Sequence, residues 1–123
     1  MTTLTEGKHA GGFLVWEVLR DYTRETITVV SGAGKLEPGT VLGKITTGGK
    51  YTCLAPSATN GSQNAAGILW AGVDASAADA SGVVVLRGPA IVNSHEIVWP
   101  YGATEAQITA ATTALAALGI ILR

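Results

Sequence analysis

Residues 24–51 read RETITVVSGAGKLEPGTVLGKITTGGKY, and the fold class turns on this stretch. Polar and apolar side chains alternate through Thr26, Ile27, Thr28 and Val29, the period of a half-buried strand, and Ser31-Gly32-Ala33-Gly34 breaks the pattern. Glu37-Pro38-Gly39-Thr40 then puts Pro second and Gly third in a four-residue turn. Pro presets φ and Gly accepts positive φ, which are the demands of a type II turn. A second strand is predicted from Val41 to Thr47, and Gly48-Gly49 turns the chain again before Tyr51. The stretch therefore predicts strand, tight turn, strand. Gly32, Gly34, Pro38 and Gly39 set its shape, and no reactive group stands at a tip.

Working outward, Phe13-Leu14-Val15-Trp16-Glu17-Val18-Leu19 is a short apolar run that predicts a strand, with a polar turn from Arg20 to Thr23. Residues 56–62 form a loop by composition, with Asn60-Gly61 suited to positive φ, and Ala65 to Val73 predicts a return into the core as a strand. Asp74 to Ser81 predicts one helical turn or a surface connection. Gly82-Val83-Val84-Val85-Leu86-Arg87-Gly88-Pro89 is a continuous apolar run bracketed by turn residues, the strongest strand signal in the chain; Ala90 to Asn93 and Glu96 to Trp99 predict shorter strands.

Thr104-Glu105-Ala106-Gln107 has the spacing of a capping box, so a helix is predicted to about Leu118, ended by Gly119. Its apolar face would carry Ile108, Ala111, Leu115 and Leu118, and Ile120-Ile121-Leu122 predicts a terminal strand or docked tail. Many short strands followed by one late helix give an α+β class, mostly β. Residues 1–12, rich in Thr and Gly without periodicity, are expected to be a flexible arm before a single β-rich domain over 13–123.

A chain of 123 residues fits one domain that buries roughly two thirds of its unfolded surface. Charged residues make up only 14% of it, against about 25% in an ordinary soluble domain. Interface cores are depleted in Lys, Glu and Asp, so part of the surface is expected to be covered by other chains. The net charge is −1, and basic residues are scattered from Lys8 to Arg123 with no stripe to follow a phosphate backbone; direct binding of nucleic acid is not expected. The single cysteine, Cys53, predicts no intrachain disulfide and reads as a small buried hydrophobe. The first twelve residues lack the apolar core of a signal peptide, and no run reaches the ~20 apolar residues of a membrane span. A soluble protein made in the cytoplasm, without a membrane partner, is expected.

Motifs of chemistry fail on spacing. Ser31-Gly32-Ala33-Gly34-Lys35 suggests a phosphate loop, but Val29 stands where the first Gly belongs and Leu36 follows the lysine; a dinucleotide fingerprint fails because Glu37 takes the third glycine position. His9, His95 and Cys53 have no paired metal-ligand spacing, and His95 reads as a surface turn residue. There is no Gly-x-Ser-x-Gly elbow for a hydrolytic serine, and Asn60-Gly61-Ser62 reads as turn chemistry rather than a glycosylation site. No catalytic, cofactor-binding or metal residue is therefore assigned, and no enzyme is expected. Lys35 and Lys50, near turns, keep open a second reading as a small β-rich ligand-binding or carrier domain, though neither has the flanking residues usual for an attached prosthetic group. Trp16, Trp70 and Trp99 remain as candidates for a subunit or partner interface, because Trp is costly to leave in water and enriched at hot spots.

Arg24-Glu25-Thr26-Ile27-Thr28-Val29, Leu36-Glu37-Pro38-Gly39-Thr40-Val41-Leu42-Gly43-Lys44-Ile45, Ala65-Ala66-Gly67-Ile68-Leu69 and Val98-Trp99-Pro100, in that order and spacing, resemble the head decoration proteins of lambda-like tailed phages. The likeness runs from about Phe13 to Arg123 and includes the late helix with its Gly-Ile tail; Trp16 is bulkier than the pattern has. The resemblance implies a β-clip-like subunit that forms a homotrimer on threefold and quasi-threefold sites of the expanded capsid. There it would act as cement on the outer surface of the virion against the pressure of packaged DNA. It also implies that an N-terminal arm, Thr2, Thr3, Leu4, Thr5 and Glu6 here, binds the major capsid protein and orders on the shell. Such an arm can add a strand to the edge of a partner's sheet.

Overall fold

A computed structural model describes residues 9–123. In chain order its elements are β1 (Leu14–Glu17), α1 (Arg20–Thr23), β2 (Arg24–Val29), β3 (Gly34–Leu36), β4 (Val41–Lys44), β5 (Tyr51–Cys53), β6 (Ala65–Leu69), β7 (Val73–Ala75), β8 (Ala80–Val85), β9 (Ala90–Val92), α2 (Glu105–Ala117) and β10 (Ile120–Leu122), with a 3₁₀ turn at Ser94–Glu96. The class is α+β, mostly β, as expected. Of the twelve-residue arm read from the sequence, residues 1–8 lie outside the described residues, and His9 to Gly12 lead into a hydrogen-bonded turn before β1.

β2 and β4 are strands, as residues 24–51 predict, but they do not pair with each other. β2 runs antiparallel to β8, from Arg24 opposite Val85 to Val29 opposite Ala80. β4 lies between β5 and β6, antiparallel to both. With β2 parallel to β5 at Val29 and Tyr51, and β6 antiparallel to β8, five strands close a barrel in the order β2-β5-β4-β6-β8. Between β2 and β4 the chain leaves the barrel, and β3 makes a two-stranded ribbon with β7.

The type II turn is present. The Thr40 N–H donates to the Glu37 carbonyl at 3.2 Å and Gly39 has φ 91°. β4 stops at Lys44 rather than Thr47, because Ile45 N–H donates to Lys50 and Thr46 N–H to Asn60, both at 2.8 Å, which turns the chain out of the sheet. The region from Asp74 to Ser81 is neither helical turn nor simple connection: Asp74 and Ala75 belong to β7 and Ala80 and Ser81 to β8. Only four residues link them, where the Asp74 carboxylate accepts from the Ser76 N–H at 3.1 Å and hydroxyl at 2.6 Å. Glu96 to Trp99 is not a strand either. Asn93 Oδ1 accepts from the His95 N–H at 3.0 Å and starts the 3₁₀ turn, leaving Val98 a single bridge to Thr40.

Period-2 alternation sorts buried residues of the barrel strands into two clusters, although β2 buries only Val29. Val29, Leu42, Tyr51, Leu69 and Val84, one from each barrel strand, meet in one cluster with Val73 and Ala75 of β7. The adjacent Val41, Ile68 and Val85 point the other way, into a cluster with Phe13, Val92, Ala111, Leu115 and Ile120. Burial of each large aliphatic side chain contributes about 1.5–3 kcal/mol, and Leu42, Ile68, Leu69, Leu115 and Ile120 are all fully enclosed.

The second cluster joins the barrel to α2 and to a mixed sheet in which β9 lies between antiparallel β1 and parallel β10. Both bonds of the capping box form, Gln107 N–H to Thr104 Oγ1 at 3.2 Å and Thr104 N–H to Gln107 Oε1 at 2.9 Å. Ala111 and Leu115 are buried, Ile108 and Leu118 half-buried, and Gly119 at φ 88° ends the helix and sends β10 back along β9.

Candidate interaction surfaces

The mixed sheet exposes an apolar row. Trp16 of β1 stands opposite Ile91 of β9, which stands opposite Ile121 of β10. Their neighbours Ala90, Val92 and Ile120 are buried. In a regular strand the residue before Trp16 would point inward, but the register shifts between Leu14 and Trp16. A bulge of this kind adds an unpaired residue and re-aims side chains. The result is that Val15 and Trp16, adjacent in sequence, are 63% and 50% exposed. Val18, Leu19 and Tyr22 carry exposed apolar surface on through α1. A concentration of this kind marks an interaction surface more readily than scattered single residues do.

Charges beside this face are spent on one another. The Arg24 guanidinium pairs with the Glu17 carboxylate, which also accepts the Thr23 hydroxyl at 2.6 Å. Arg87 pairs with Glu25 at 2.9 Å and lies 5.4 Å from the Tyr22 ring centroid. On α1 itself Arg20 and Asp21 stand exposed, 4.0 Å apart, so it is the apolar row of the mixed sheet that fits a partner face of the same chemistry.

The three tryptophans do not share a site. Trp70 is half-buried, with the Arg24 guanidinium carbon 3.4 Å from its ring centroid and Phe13 edge-on at 6.3 Å. Trp99 is half-buried and lines a cleft of about 320 Å³ with Leu36, Val41, Cys53 and the protruding Tyr101. Cys53 is half-buried there rather than fully enclosed. Thr2, Thr3, Leu4, Thr5 and Glu6 lie outside the described residues.

Sequence reasoning missed Val15, Val18, Leu19, Tyr22 and Ile121 as surface groups. The signal was that residues 13–19 are apolar at consecutive positions, more than a strand with one buried face needs. Of the lysines considered for a carrier role, Lys50 is ion-paired with Asp79 and Lys35 lies on β3 opposite Asp74. The Lys50 ammonium and the Ser31 N–H hold the Asp79 carboxyl below the usual carboxylate range. His95 is exposed, and among the described residues no three His, Cys, Asp or Glu side chains converge on a metal position.

The family model described as Bacteriophage lambda head decoration protein D matches residues 3–120. The chain belongs to this family. No match was found among curated proteins. As a head decoration protein it is a structural component associated with the phage capsid. Three of the four segments that carry the resemblance, residues 24–29, 36–45 and 65–69, build β2, the Pro38-Gly39 turn with β4, and β6; the fourth, 98–100, contributes the bridge beside that turn. The motifs thus hold the barrel together, and the exposed face of β1 and α1 lies outside them.

Proposed function

We propose that this protein decorates the outer surface of the expanded phage head as a homotrimer, seated on threefold and quasi-threefold sites, and cements the shell against the pressure of packaged DNA. It catalyses nothing; its partners are further copies of itself and the major capsid protein, and it is made in the host cytoplasm. Family membership over residues 3–120 carries the reading. The low charge content and the apolar face around Trp16 support self-association in particular. We assign that face to contact between subunits and residues Thr2 to Glu6 to contact with the capsid protein, by strand addition to a sheet edge. Three arms on one trimer multiply weak contacts, commonly by ~10²–10⁴ over a single arm.

Sedimentation equilibrium tests the assembly. A mass three times that of the chain, held on dilution to micromolar concentration, is expected; a strict monomer at high concentration would contradict the proposal.

A further inference from the structure

Trp70 is an interface candidate by residue type, and it also packs against the turn that precedes β1. The Gly11 N–H donates to the Trp70 carbonyl at 2.8 Å. A Cβ at position 11 would stand 1.9 Å from the indole Cη2, so the backbone lies against the ring edge and only glycine fits. Gly11 also has φ 68°, a second reason for glycine. Hydrogen bonds from Gly12 N–H to His9 and from Leu14 N–H to Gly11, both 3.0 Å, close the turn, and the Asn93 N–H to Phe13 bond at 2.7 Å commits the chain to β1.

The other side of the anchor is equally fixed. Arg24 covers the indole face and is itself held by Glu17, which Thr23 holds in turn. Position 11 is thereby connected through one aromatic ring to an ion pair between β1 and β2. The ring also packs against the core cluster that contains Phe13.

We propose that this seat on Trp70 is an anchor that fixes the chain at residues 9–12, with Gly11 and Trp70 as positioning residues for capsid binding by the residues that precede them. The proposal rests on the reading that Thr2 to Glu6 contact the shell. A segment of eight residues reaches at most roughly 28 Å fully extended, so displacement of its root changes which surface it meets. A fixed root also lowers the ordering cost at docking and sets the effective concentration of each arm.

The test measures binding to expanded empty shells by co-sedimentation, in four proteins: wild type, Gly11→Ala, a deletion of residues 2–8, and both changes together. Gly11→Ala is expected to weaken binding by about ten-fold or more in the full chain and to change nothing in the truncated one, with the mass of the assembly unaltered. Equal binding of wild type and Gly11→Ala would overturn the anchor, and so would an equal loss in full and truncated chains, because the turn would then act through the body. Wild-type binding by the truncated chain would show instead that the arm reading itself is wrong. Should Gly11→Ala disturb folding, insertion of Gly-Ser-Gly-Ser between Lys8 and His9 leaves the turn intact and loosens only the root. A several-fold loss of affinity is expected from it, and unchanged affinity would overturn the proposal.

Discussion

At position 39 two independent demands meet. The backbone has φ 91°, and a Cβ would stand 2.5 Å from the Glu96 carbonyl oxygen. The first demand is legible in the sequence, since Pro-Gly at the centre of a four-residue turn is local chemistry. The second is not, because Glu96 arrives from a distant loop that only the folded chain brings near. Asp79 shows the same division. Its composition-rich surroundings read as a surface connection, while its partners, the Lys50 ammonium and the Ser31 N–H, come from two other turns. Its carboxyl is held low in the folded state, so the stability it contributes is present above the unfolded pKa, near 4, and is lost as pH falls through the folded one. Asp79→Asn is expected to flatten the fall of melting temperature on acidification below about pH 4. An unchanged acid limb in thermal melts would show that this contact does not persist in solution.

Elements were readable where their signals are local. The helix α2 is specified at both ends by Thr104, Gln107 and Gly119, all within or beside it, and it forms between them. The strand at Val83-Val84-Val85 is continuously apolar because Val84 and Val85 bury into different clusters, and that run was visible. Strand partners were not visible, since β2 chooses β8 across the chain and β3 leaves the barrel for β7. Short strands of three to six residues carry too little alternation to state a register. The bulge at Val15 belongs with these, for it is defined only against β9. Because Trp16 is half-exposed and lies in the row with Ile91 and Ile121, Trp16→Ser is expected to dissociate the assembly. The far-UV spectrum should not change, since surface substitutions usually alter stability by no more than about 0.5 kcal/mol. Light scattering that still reports the full assembly would move the subunit contact off this face.

Over the whole molecule, scarce charge and missing catalytic spacing pointed away from an enzyme and toward covered surface, and the family match agrees with a structural role in the phage head. The division of labour proposed for the chain gives the barrel to shape, the Trp16 face to its own copies and the N-terminal residues to the shell. The family could be read from the sequence because its motifs are the barrel's turn and strand residues, which geometry restricts. The exposed apolar face could not be read in full, since its exposure depends on a bulge and on a third strand, β10, from the far end of the chain. The central claim, decoration of the expanded head by trimers, is tested most directly by electron cryomicroscopy of expanded empty heads mixed with the purified protein. The account predicts added three-lobed density on the outer surface at threefold and quasi-threefold positions; heads that remain bare, or single lobes bound elsewhere on the lattice, would contradict it.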